Sequence, residues 1–308
     1  MNNYDYVNGI IAVKETYLIK EKFDYLLGLP VKDALKQLCD LPYGQGVNLD
    51  GETDYKSLVD HDEKAINDFI QEFAPSISEK AFFLLKNDYE NLKTIVKSDI
   101  GGFSEQNLFS SQGLYSVEKL KNDYKNGKLN SYMSLCVKEI KSQKEITGSL
   151  IGNVVLKYYY LELLSKVKRK PLRQIIKRQA DLINVLKTLK TQNVQEEKKY
   201  FLKGDLPEKV FLLLADETKS VKDRTSLLED LKDIATLALN KGYALAEKQA
   251  EIENLKIFSD KRYSLSSYEP FCWYVLQRKT ENKNVKILFS SKLAGLDEEK
   301  IKQRLIKV

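Results

Sequence analysis

Residues 268–305, YEPFCWYVLQRKTENKNVKILFSSKLAGLDEEKIKQRL, decide the fold. Val275, Leu276, Val285, Leu288 and Phe289 recur at three- to four-residue spacing, the pattern of one buried helical face. Lys292-Leu293-Ala294-Gly295 closes that helix with a cation at its negative end and a glycine able to take positive φ. A new helix then starts, with Asp297 as N-cap, Glu298 and Glu299 against the dipole, and Ile301 packing back on Leu296. Inside the stretch lies Glu281-x-x-Asn284-Val285-Lys286. The same acid–Asn spacing stands upstream at Asp88-x-x-Asn91-Leu92-Lys93 and Asp181-x-x-Asn184-Val185. Each copy sits in an apolar-periodic segment, so one helical unit recurs three times.

The rest of the chain reads the same way. Tyr4–Lys22 is expected as a helix, then Phe23–Leu29, and Lys32–Leu41 ended by Pro42-Tyr43-Gly44. Gln45–Asp54, with glycines at 46 and 51, is a loop. Ser57–Phe73 and Ser78–Lys97 follow as helices, the second striped by Ala81, Leu85, Tyr89, Leu92 and Val96. After Gly101-Gly102, Tyr115 and Leu120 bracket Ser116 as an N-cap. Ser149–Lys168 and Leu172–Thr191 are helices parted by Pro171. Asp205 is expected to cap a helix with Glu208 completing a capping box, and Thr225–Leu239 and Tyr243–Phe258 close the series. No segment sustains period-two alternation, so the fold class is all-α.

Composition narrows the function. A chain of 308 residues, 43% hydrophobic and 31% charged, is folded rather than disordered. No apolar run approaches eighteen residues, Val210–Ala215 being among the longest, and the N-terminus lacks a secretory pattern. Cys39, Cys136 and Cys272 are far apart and odd in number, which points to reduced thiols. The net charge of +6 is mild for a nucleic-acid binder. Its excess is local: residues 166–178 carry seven basic side chains and no acid.

Catalytic patterns are absent. There is no phosphate-cradling Gly-rich loop, no Gly-x-Ser-x-Gly and no CxxC. The single histidine, His61, lies in Asp60-His61-Asp62-Glu63, read either as a metal or acid–base cluster or as a solvated helix start. Asp88 and Asn91, one turn apart beside the apolar stripe, suit hydrogen bonds to the backbone of an adjacent helix. Two readings stand: an anchor for a helical hairpin, or polar groups offered to a partner. Arg169, Arg173 and Lys177 share one helix face. They are a solvated flank, a contact for an acidic protein or anionic lipid, or a nucleic-acid site within 166–178.

These residues resemble one family, the C subunits of bacterial and archaeal V-type (A-type) ATPases, equivalent to the d subunit of the eukaryotic V-ATPase. The resemblance is carried by Glu269-Pro270-Phe271-x-Trp273-Tyr274, by Arg278-Lys279-x-Glu281-x-Lys283-Asn284-Val285-Lys286-Ile287-Leu288, and by Lys292-Leu293-x-Gly295-Leu296-x-Glu298-Glu299-x-Ile301. The two upstream acid–Asn pairs, Tyr158-Tyr159-Tyr160 within Leu156–Leu164, and Phe201-x-x-Gly204 also fit. Thr280 and Lys283 depart from the family pattern. The resemblance implies three similar helical bundles in a pseudo-threefold, funnel-like arrangement, near 1–110, 111–204 and 205–308. It implies a non-catalytic rotor part without cofactor or metal, peripheral on the cytoplasmic side of the membrane. Such a part links central-stalk proteins of D and F type to a membrane rotor ring of c or K type. Asp88, Asn91, Asp181, Asn184, Glu281 and Asn284 are then its repeat anchors. Arg169, Arg173 and Lys177 are its candidate partner contacts, with no nucleic acid involved.

Overall fold

Short polar side chains set seven of the helix starts. Asp54, Ser76, Ser116, Asn130, Thr147, Ser220 and Asp297 each accept a backbone N–H from the first turn that follows, satisfying a donor without a helical partner. The computed structural model describes residues 3–15, 18–19, 22–102, 104, 108–191 and 194–307. Among them every regular element is helical, and the fold is all-α.

The chain divides into two compact units, Met1–Pro75 with Lys248–Val308, and Ser76–Glu247. The first opens with α1 (Asn3–Lys14), α2 (Lys22–Leu27), α3 (Val31–Cys39) and α4 (Tyr55–Phe73). The second holds α5 (Ile77–Gly101), α6 (Val117–Lys125), α7 (Ser131–Lys141), α8 (Gly148–Lys166) and α9 (Lys170–Lys190). It continues with α10 (Val194–Glu197), α11 (Glu208–Ala215), α12 (Val221–Arg224) and α13 (Lys232–Lys241). Along α14 (Tyr243–Ser259) the chain returns to the first unit, completed by α15 (Glu269–Leu293) and α16 (Glu298–Arg304).

In the first unit α15 packs along α4. Val285, Leu288 and Phe289 of α15 share a core with Leu58 and Val59 of α4 and with Leu35 and Leu38 of α3. Phe69 stacks on Phe271 at 5.8 Å and meets Tyr274 edge-on at 5.2 Å, while Tyr55 stacks on Phe289 at 5.5 Å. Each such pair contributes about 0.5–1.5 kcal/mol beyond its area burial. At the end of α15, Gly295 takes φ 72° and Leu296 N–H returns to Ser291 C=O at 3.0 Å. Asp297 caps α16 through Lys300 N–H at 2.9 Å, with Ile301 buried and Leu296 against the same core. Lys292 stands in the last turn of α15, as expected, and its ammonium also reaches the C=O groups of Leu27 and Leu29, at 2.6 and 2.7 Å, at the end of α2 and just past it.

The second unit is built on α5 against α8, with α7 on α8 and with α11 and α13 on α9. Ala81, Leu84, Leu85, Leu92 and Val96 of α5 are all fully buried.

Three expectations change. The first helix ends at Lys14, and Leu18 and Ile19 are buried outside any helix, while residues 16, 17, 20 and 21 lie outside the described residues. The segment expected as one helix over 225–239 becomes α-helical only at Lys232, after a short 3-10 turn over Glu229–Leu231. Thr225 turns its hydroxyl back onto Val221 C=O, and Glu229 sits at φ 48°, so the chain winds through turns that bury Leu228 and Leu231. Helix α7, capped by Asn130, is additional. Among the described residues no helix is long and apolar enough to cross a membrane.

Candidate functional site

The acid–Asn pairs lie on the buried faces of α5, α9 and α15. Asn91 donates from Nδ2 to Ser110 C=O (2.8 Å) and accepts Ser110 N–H at Oδ1 (2.9 Å). Asn184 does the same with Leu202 (2.9 and 2.8 Å), and Asn284 with Ile306 (2.9 and 2.9 Å). One amide thus replaces a strand neighbour: it satisfies both backbone groups of a residue that has no helix to supply them. The partner segments lie 18 to 22 positions downstream. They are connecting loops and a terminal segment, where an adjacent helix was expected.

The acids complete the grip in the second unit. Asp88 accepts Leu114 N–H (2.9 Å) and Tyr115 N–H (3.0 Å), one on each oxygen, just before the Ser116 cap of α6. Asp181 accepts Asp205 N–H (2.7 Å) and Leu206 N–H (3.2 Å) just before α11. Gly113 and Gly204 approach these carboxylates so closely that a Cβ on either would overlap them. Burial pushes the Asp88 carboxyl up to about 7, against the pull of the two N–H donors. Asp181 is raised for the same reason and held back by the same kind of bond. Glu281, on α15, is buried as well.

This geometry corrects the expected Asp205 cap. Asp205 is held by its own N–H on Asp181, while its carboxylate takes Lys177 Nζ at 2.6 Å. Pro207 stands at the N-cap of α11 and Glu208 pairs with Lys198 at 3.0 Å.

The basic segment is tied inside the second unit. Arg169 Nε donates to Glu79 Oε1 at 2.7 Å, and Arg173 Nη1 to the C=O groups of Leu164 and Val167. Arg178 Nε meets Asp230 at 2.5 Å. With the Lys177–Asp205 bond, Arg169, Arg173 and Lys177 are all engaged within the chain.

The cluster around His61 also changes. His61 is exposed on α4, but Asp62 is buried against Arg278 of α15, and Glu63 pairs with Lys286 at 2.6 Å. Arg278 Nη1 also donates to Tyr274 Oη at 2.7 Å. Burial raises the Asp62 carboxyl while Arg278 opposes that rise. Part of the expected solvated helix start is therefore a buried ion pair joining α4 to α15, which the sequence did not single out. Among the described residues, no three His, Cys, Asp or Glu side chains gather as a metal site requires. A second buried network was also missed: Glu162 accepts Tyr89 Oη–H at 2.7 Å and Asn130 Nδ2–H at 3.2 Å. The three cysteines carry free thiols, and burial pushes that of Cys136 up to about 12, which leaves it inert as a nucleophile at neutral pH.

The C subunit of a V-type sodium ATPase from Enterococcus hirae is 25% identical over 120 residues, 38% of this chain and 37% of that protein's length. Residues 7–304 match the family described as ATP synthase (C/AC39) subunit, and the chain belongs to that family.

Proposed function

We propose that this protein is a non-catalytic rotor subunit of a V-type ATPase, a socket joining the central stalk to the membrane rotor ring. Stalk proteins of D and F type enter it, and a ring of c or K type carries it on the cytoplasmic side of the membrane. Torque from ATP hydrolysis in the catalytic head passes through it to the ring and drives H⁺ or Na⁺ transport; the reverse rotation supports ATP synthesis. The observation that carries this reading is the reciprocal Asn clamp, made three times in a chain of this family. A part that transmits torque needs connections that do not yield. Each clamp fixes a segment outside the helices to a helix core by two hydrogen bonds from one buried amide, the arrangement that limits local opening. Asp88/Asn91, Asp181/Asn184 and Glu281/Asn284 are then the anchors of three related modules, near 1–110, 111–204 and 205–308.

Pull-down of the purified chain with a stalk D–F heterodimer, and separately with a detergent-solubilised ring, tests the reading. Binding to both, with no ATP hydrolysis by the chain alone, is the expected result. Failure to bind either partner, or ATP turnover by the isolated chain, overturns it.

A further inference from the structure

Helices α5 and α8 pack along each other, and a groove of about 270 Å³ lies between them. Leu156 and Tyr159 of α8, both half-buried, form its apolar floor together with Tyr89 of α5, whose ring Tyr159 meets edge-on at 5.8 Å. The hydroxyl of Tyr89 is taken by Glu162 at 2.7 Å. Gly152, one turn before Leu156, leaves a gap in that floor: a Cβ there would meet no atom within 4 Å. Along the α5 edge stand positions 86, 90, 93 and 97, one helix face that carries three lysines and one acid. The acid, Glu90, pairs with Lys93. Lys86 is exposed and, among the described residues, pairs with no acid. The Nζ of Lys97 lies beside Gly148, one turn before Gly152. On the α8 side Lys187 donates to Asn153 Oδ1 at 2.8 Å, which sets a further cation behind that wall.

We infer that this groove is the docking site for an amphipathic helix of a partner chain. Its apolar stripe lies on Leu156, Tyr159 and the gap at Gly152, and its acidic flank runs along the α5 lysines. Charge complementarity selects the flank, since the groove holds one acid, already paired, against the lysines of its α5 edge and Lys187. Backbone chemistry selects the helix. Both walls are helix interiors with their own N–H and C=O groups bonded along the chain, so they offer no ladder to an extended segment. A helix arrives with its backbone already satisfied. The volume falls below the roughly 300–1,000 Å³ of small-molecule sites, which suits side chains of a docked segment and not a free ligand. None of these features depends on the rotor reading, so either can fail without the other.

The probe is a fluorescein-labelled, end-capped peptide of about 20 residues, long enough to be helical in water, with leucines on one face and glutamates along its flanks. Fluorescence anisotropy with the full chain should show saturable binding that weakens as salt rises. A counterpart with lysine in place of every glutamate should not bind. Gly152→Leu fills the gap, and should weaken the acidic peptide about tenfold or more, as a blocked contact at the centre of an interface does. Leucine is also the stronger helix former, so α8 is kept. Lys86→Glu, on the exposed edge, should weaken the peptide and flatten its salt dependence. Thermal denaturation followed by circular dichroism checks both variants; if Gly152→Leu does not fold, Lys86→Glu decides alone. No saturable binding at millimolar peptide, equal or tighter binding of the basic counterpart, or unchanged affinity in the folded variants overturns the inference. Self-association that Gly152→Leu abolishes and the peptide fails to compete would assign the groove to a second copy and overturn it equally.

Discussion

A single carboxylate illustrates how burial and hydrogen bonding contend. Asp88 is fully buried and accepts two backbone N–H groups, one on each oxygen. Ionised, it serves both donors; protonated, it turns one oxygen into a donor and spoils one of the bonds. Burial nevertheless dominates and pushes its carboxyl from the ordinary 3.8 to about 7. The native state thus holds the proton more tightly than the unfolded chain. The associated stability is complete below about pH 4 and is lost as pH rises toward 7. A shift of that size corresponds to on the order of 4 kcal/mol at most. Urea denaturation should therefore find the wild type less stable at pH 8 than at pH 5. Asp88→Asn, which cannot ionise, should flatten that difference. An unchanged pH dependence in the variant would show that the titrating group lies elsewhere.

At the scale of elements, the helices were legible because their signals are local. The Ser116 and Asp297 caps and the Gly295 ending each depend on residues within one turn, and the structure has all three. Asp205 misled because its competitor, Asp181, lies far upstream and claims the Asp205 N–H for itself. The loops gripped by Asn91 and Asn184 were illegible for a related reason: the amides bind backbone, so no side-chain type in the loop records the contact. Gly113 and Gly204 alone leave a trace, through the space they vacate. Asp62 and Arg278 are 216 positions apart, and neither identity shows that α4 and α15 are neighbours. Their ion pair makes a prediction about that helix pairing. Removing one partner of a buried pair typically costs about 3–5 kcal/mol, whereas replacing both by apolar groups is often neutral or favourable. Asp62→Ala should accordingly destabilise strongly, and Asp62→Leu with Arg278→Met should recover most of the loss in a thermal-denaturation cycle. Additive losses would mean that the pair contributes packing alone.

Over the whole molecule, the two units differ in how the chain makes them. Ser76–Glu247 is continuous, whereas the other unit combines Met1–Pro75 with Lys248–Val308. The continuous unit contains both complete acid–Asn clamps together with the loops they grip, and its ion pairs from Arg169, Lys177 and Arg178 close within it. Each of those contacts has both partners between residues 76 and 247, so excision breaks none of them. A piece of 172 residues, counted from Ser76 through Glu247, is also within the usual size of an independently folding domain. Expressed alone, it should be helical by circular dichroism and unfold in one cooperative transition. Residues 1–75 alone should not, because α4 would lose the α15 face against which Leu58, Val59 and Phe69 pack. Joining 248–308 to 1–75 through a short flexible linker should restore that cooperativity, since it returns α15 to α4 without the intervening unit. A non-cooperative 76–247 piece would place part of its stability outside the contacts described, in which case the clamps hold loops to helices without making the unit self-sufficient.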